Sequence, residues 1–96
     1  MQIILVIGSG ARELKIVQKL TEDALEEINI VCIKTQENNE IDKYCLRVIS
    51  MQLSIKETME NIKEDIHFCI IGPEAPLKEG YADYFEKKQI PCIGPL

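Results

Sequence analysis

The sequence predicts an α/β fold, doubly wound about a parallel sheet of about five strands. Three observations lead there. The run Ile3-Ile4-Leu5-Val6-Ile7 is unbroken, largely β-branched and stopped by Gly8, the pattern of a strand buried on both faces. Beyond it, short apolar runs alternate with segments whose apolar residues recur at helical spacing, which is how a chain of strand-helix-strand units reads. The 96 residues, 46% of them hydrophobic, suffice for one small core and leave no room for a second, so residues 1–96 are read as a single domain.

The elements follow in order. From Ala11 onward Leu14, Val17, Leu20 and Ala24 share one helical face, with Arg12, Glu13, Lys15, Gln18 and Lys19 on the others. Ile28 to Ile33 is a second strand, and the polar stretch from Lys34 to Glu40 reads as a loop. Arg47-Val48-Ile49 is a short third strand. Ser54 and Glu57 then form an S-x-x-E capping box that starts a second helix near Ile55, with Met59 and Ile62 on its apolar side. Ile66 to Ile71 is the fourth strand. Pro76 stands in the first turn of a helix carrying Leu77, Tyr81, Tyr84 and Phe85, and Pro91-Cys92-Ile93 closes the sheet. Right-handed crossovers between parallel strands give the order 3-2-1-4-5.

Charge and cysteine usage exclude several function classes. A net charge of −5, with no basic run longer than Lys87-Lys88, offers no footprint for a nucleic-acid backbone. The apolar stretch at Ile3 to Ile7 is far short of the roughly 20 residues of a membrane span, and no charged leader precedes it. No membrane association is expected. Cys32, Cys45, Cys69 and Cys92 lack C-x-x-C spacing and three sit in apolar runs, so they read as free thiols in a reducing cytoplasm and not as metal ligands. His67, beside Phe68 in the fourth strand, has no ligand partner at metal spacing and reads as structural. Tyr81, Tyr84 and Phe85 read as packing, not as a base-stacking platform, with self-association through that face left open.

In a doubly wound sheet ligands collect beyond the carboxyl ends of the strands where the strand order reverses, here between the first and fourth strands. Two loops meet there. In Gly8-Ser9-Gly10-Ala11-Arg12-Glu13, small residues let backbone amides approach an anion at the start of a helix, and Arg12 suits a phosphate. In Gly72-Pro73-Glu74-Ala75-Pro76, two prolines flank an acid that suits hydroxyls or an amine. The candidate substrate-binding residues are Gly8, Ser9, Gly10, Arg12, Glu13, Gly72, Pro73 and Glu74, with no catalytic and no metal-binding residue. The plainer alternatives are a tight turn without ligand, Arg12 paired to a nearby acid, and Glu74 as a solvated helix-start acid. A dinucleotide fits poorly: G-x-G-x-x-G requires glycine at 13, where Glu13 stands, and Lys34-Thr35 replaces the acid that would hold a ribose.

The stretch from Val6 to Glu13, VIGSGARE, resembles the VIGSGGREH opening of the phosphoribosylamine-glycine ligase (glycinamide ribonucleotide synthetase) family. Ile70 to Leu77 is similar to its GPEAPL signature, and Ile90 to Pro95 to the I-P-x-x-G-P that closes its amino-terminal domain. The resemblance implies a Rossmann-like preATP-grasp domain that helps bind 5-phosphoribosylamine. In the full enzyme of that family ATP and magnesium activate glycine as an acyl phosphate. The nucleotide- and metal-binding ATP-grasp portion has no counterpart in these residues, so this chain alone is expected to need no cofactor and to be inactive as a ligase. Departures from the pattern are Ala11 for a glycine, Leu14 for a histidine, and Lys34-Thr35-Gln36-Glu37-Asn38-Asn39 where the family carries a loop close to PGNAGT. They make a non-catalytic binding or interaction module the first alternative, with a dinucleotide-binding domain the second.

Overall fold

A computed structural model describes residues 2–23, 27–35, 39–72 and 75–93. Five parallel strands, β1 (Gln2–Ile7), β2 (Ile28–Lys34), β3 (Arg47–Ser50), β4 (Phe68–Ile71) and β5 (Cys92–Ile93), lie in the order β3-β2-β1-β4-β5. The strand order expected from the sequence is the one observed. Between them run α1 (Ala11–Asp23), α2 (Asn39–Asp42), α3 (Ile55–Met59) and α4 (Lys78–Lys87).

Side chains alternate across the pleat, so the unbroken apolar run of β1 supplies two cores at once. Ile3, Leu5 and Ile7 join Val31, Ile33, Ile49, Cys69 and Ile71 on one face, where Tyr81 and Phe85 of α4 cover them. Ile4 and Val6 join Ile30, Cys32 and Ile70 on the other, beneath Val17 of α1 and Ile41 of α2. Leu5 and Val6, on opposite faces, are both fully buried.

Several boundaries differ from the sequence reading. β4 begins at Phe68, not Ile66. His67 lies just outside it and is exposed, yet its N–H donates to the Ile3 carbonyl (2.9 Å) and its Nδ1 accepts the Ile3 N–H (3.2 Å). The histidine is structural, as expected, but as a clip onto β1. The polar stretch expected as loop instead contains the last residue of β2 and the start of α2. Lys34 Nζ meets Asp42 Oδ2 at 3.3 Å, and buried Ile41 anchors the short helix to the core. α4 starts at Lys78, two residues beyond Pro76, because Leu77 takes a left-handed conformation (φ 60°) and half exposes its side chain. Ser54 does cap α3, its Oγ accepting the Glu57 N–H at 3.1 Å. Glu13, read as a residue of the polar faces of α1, is buried. Ala24, Gln36-Glu37-Asn38 and Gly94-Pro95 lie outside the described residues.

Arg47 on β3 forms a fork with Glu64, Nε to Oε2 at 2.8 Å and Nη2 to Oε1 at 3.2 Å, and also donates to the Asn61 carbonyl. That fork ties an edge strand to the segment leading into β4. No helix among the described residues is long and apolar enough to cross a membrane.

Candidate functional site

The carboxyl ends of β1 and β4 stand side by side, Ile7 opposite Ile71. The chain leaving β1 turns sharply at Gly8, whose φ of 122° is open to glycine and costly for any residue with a Cβ. Gly8 N donates to the Ile33 carbonyl (2.9 Å) and Gly72 N to the Ile7 carbonyl (2.8 Å), so both turns are hung on the sheet by backbone bonds. Gly8, Ser9, Gly10 and Gly72 are thus brought together at the strand-order reversal.

The remaining candidates divide. Ser9 is fully buried; its Oγ accepts the Thr35 N–H (3.1 Å) while its own N–H donates to Thr35 Oγ1 (3.3 Å). This reciprocal pair couples the turn after β1 to the end of β2. Glu13 Oε1 accepts the Gly10 N–H at 3.1 Å. Gly10 precedes the first helical residue and Glu13 is the third, so this is the back-reaching half of a capping box. The same carboxylate fills the space that side chains at Gly8 or Gly72 would need: a Cβ on Gly72 would meet it at 2.8 Å, and one on Gly8 would overlap it. Glu13 therefore pins the two loops together. Arg12, next to it, is exposed at the start of α1. Pro73 and Glu74 lie outside the described residues.

Helix geometry leaves the amides of Ala11, Arg12 and Glu13 without intrahelical acceptors, and the helix dipole makes that end attractive to an anion. Gly10 N–H is already committed to Glu13. An anion at this end would meet the first-turn amides and the exposed Arg12.

Cys32, beneath the turn, is a functional neighbour the sequence did not reveal. Its Sγ donates to the Gly8 carbonyl at 3.3 Å. Cys45 packs in the same cluster and its Sγ donates to the Ile41 carbonyl at 3.2 Å. The neighbouring Cys45 thiol, then burial, push the Cys32 pKa up, and the influence of Cys32 lowers that of Cys45 against the opposing effects of burial and Asp42. On the other face Cys69 and Cys92 are register partners on β4 and β5, and burial raises both pKa values. All four thiols are free, two buried and two half-buried, as expected; the register pairing of Cys69 with Cys92 was not foreseen. A groove of about 440 Å³ between α3 and α4, bordered by Ile55, Met59, Gly80 and Tyr84, shares no residue with the turns.

The family described as "Phosphoribosylglycinamide synthetase, N domain" matches residues 2–96. Among similar proteins are phosphoribosylamine-glycine ligases of Listeria innocua, 37% identical over 92 residues, and of Methanocaldococcus jannaschii, 34% identical over 96 residues. A bifunctional purine biosynthetic protein of Dictyostelium discoideum is 35% identical over 107 aligned positions. Each alignment takes in 96% of this chain, but 22%, 21% and 11% of the respective relative. The chain thus spans about a fifth of the ligases it matches.

Proposed function

The chain belongs to the phosphoribosylglycinamide synthetase N-domain family, and from that membership we propose that it is the part of such a ligase that binds a phosphorylated pentose amine, 5-phosphoribosylamine. The observation that carries the reading is the juxtaposition of the Gly8–Glu13 and Gly72 turns at the strand-order reversal, in a chain whose relatives are named for that substrate. The first-turn amides of α1 and Arg12 take the phosphate, and Glu74, in the second loop, takes the sugar hydroxyls or the amine. Gly10, at the start of α1, admits the backbone close to the ligand, while Gly8 and Gly72 make room for the Glu13 carboxylate. Ser9 and Glu13 act by holding the turn, since their side chains are already engaged.

Among the described residues no group of three or more His, Cys, Asp or Glu side chains comes together to hold a metal ion. No step through magnesium or ATP is assigned to these residues, and the carbon-nitrogen bond-forming chemistry is allotted to the part of such ligases that lies outside this match. A dinucleotide is disfavoured because Glu13 stands where G-x-G-x-x-G requires its third glycine.

The test is a titration of ribose 5-phosphate followed by backbone amide shifts. With half a cleft, affinity in the millimolar range is expected, about −4 kcal/mol. Shifts should concentrate in residues 8–13 and 72–77, Arg12→Ala should weaken binding most, and NAD at the same concentration should leave these amides in place. Shifts confined to other residues, or unchanged affinity in both Arg12→Ala and Glu74→Gln, would sink the reading and leave a non-catalytic module that kept the fold.

A further inference from the structure

We propose that Thr35 is a specificity-determining residue of the crevice, its hydroxyl donating to the 2-hydroxyl of the phosphorylated pentose. The proposal rests on the substrate reading above and adds to it a residue that neither turn contains.

The amides that the small residues of the first turn could offer a ligand are already engaged. Gly8 N–H donates to the Ile33 carbonyl (2.9 Å), Gly10 N–H to Glu13 Oε1 (3.1 Å) and Ser9 N–H to Thr35 Oγ1 (3.3 Å). A carbonyl and a carboxylate have no proton to pass on. A hydroxyl does: the Thr35 oxygen accepts from Ser9 with a lone pair and keeps its own O–H to donate. Accepting the amide strengthens that donor, since hydrogen bonds in a chain polarise one another. Thr35 itself is exposed at the end of β2.

This exposed residue is nevertheless held from several sides. Its N–H donates to the Oγ of fully buried Ser9 at 3.1 Å. The carbonyl of Lys34, one residue earlier, accepts the Met51 N–H at 3.1 Å from the chain leaving β3, and the Lys34 ammonium meets Asp42 of α2 at 3.3 Å. A branched Cβ restricts χ1 as well. The hydroxyl is thus fixed before a ligand arrives, which lowers the cost of ordering it on binding.

Position selects the ligand atom. In nucleotide sites of doubly wound sheets the N-terminus of the first helix takes the phosphate, and a side chain at the end of the second strand takes the ribose 2-hydroxyl. β2 ends at Lys34, so Thr35 stands at that end, tied to the turn that leads into α1. A 5-phosphate on the first-turn amides of α1 therefore brings the pentose across to Thr35. A dinucleotide site has an acid there; a neutral hydroxyl makes the sugar contact without repelling the phosphate.

The test uses the whole chain and two ligands, ribose 5-phosphate and 2-deoxyribose 5-phosphate, each titrated and followed by backbone amide shifts. The parent chain should bind the ribose form about fivefold more tightly, the worth of one neutral hydrogen bond. Thr35→Val keeps the branched shape without the hydroxyl and should bind the two sugars equally, whereas Thr35→Ser should keep the preference. Equal affinities in the parent, or a Thr35→Val chain that weakens both sugars and preserves their ratio, would overturn the proposal and leave Thr35 as a strut for Ser9. The ratio in the parent chain decides the matter even if Thr35→Val fails to fold. Failure of both sugars to bind the parent would sink the substrate reading itself, and the proposal with it.

Discussion

At Glu13 the carboxylate accepts the Gly10 N–H and lies against Gly8 and Gly72, so three positions share one small volume. Glu13→Ala removes a charge-assisted hydrogen bond and is expected to destabilise the fold by about 1.5–3 kcal/mol, with Glu13→Gln costing less because an acceptor remains. Gly8→Ala suffers twice, from a φ that disfavours Cβ and from overlap with the carboxylate. Only the second part vanishes when Glu13 is shortened. The double variant Gly8→Ala/Glu13→Ala should therefore lose less than the two single losses together, by roughly 0.5–3 kcal/mol in a urea-unfolding cycle. Simple additivity would show that the carboxylate is not what fills the space. This arrangement was half legible in the sequence. The glycine turn and its position at the strand-order reversal follow from the pattern of runs, but Glu13 reads as a surface acid until Gly10 is recognised as the residue that precedes the helix. Glutamate three places after it was the available signal.

Among the elements, those with a repeating apolar period or a local cap were readable, and those set by distant contacts were not. Ser54 and Glu57 announced the start of α3 because a hydroxyl and an N–H three residues apart need nothing else. α2 could not be seen: it is four residues long, and its one buried apolar residue, Ile41, has no period to betray it. Leu77 takes a conformation usually marked by glycine, which is why α4 starts later than Pro76 suggested. The Arg47–Glu64 fork is another product of distance. Burial pushes the Glu64 carboxyl up, yet the Arg47 fork and the amides of Glu64 and Lys63 outweigh it and hold the group below the ordinary value near 4.5. Because the folded value is the lower one, the unfolded chain binds more protons between the two. Stability from this group is complete above about 4.5 and is lost as pH falls through the depressed folded value. Urea midpoints measured from neutral pH downward should show an acid limb that Glu64→Gln flattens. An identical limb in the variant would place the acid sensitivity elsewhere.

The molecule as a whole has two cores and one sheet. Ile4 and Leu5 are neighbours in sequence but lie on opposite faces, under α1 and α4 respectively. Removing either side chain should loosen both, since β1 carries the central register. Ile4→Ala and Leu5→Ala are each expected to cost about 2–5 kcal/mol. In urea, tyrosine fluorescence and backbone circular dichroism should give coincident transitions in both variants, with m-values close to the parent. Separate transitions for the two probes would mean that the faces unfold independently. The strand order that produces this coupling was legible, because alternating runs and right-handed crossovers leave few arrangements. The pairing of Cys69 with Cys92 was not, since it depends on the register between β4 and β5, which only the assembled sheet defines.

Of the five strands β1 precedes the others, yet it gains its second neighbour only after β2 has paired with β3. β1 pairs with β2 on one side, but its other neighbour is β4, whose final residue, Ile71, follows Ile7 by most of the chain. On a ribosome moving at about 5–20 residues per second, several seconds separate the synthesis of the two. Throughout that interval the backbone of Ile4 to Ile7 offers an open edge flanked by apolar side chains, which is a template for strand addition by any other chain. The nascent domain is therefore most exposed to misassembly along its most buried strand, and it is the arrival of Phe68 to Ile71 that ends the exposure.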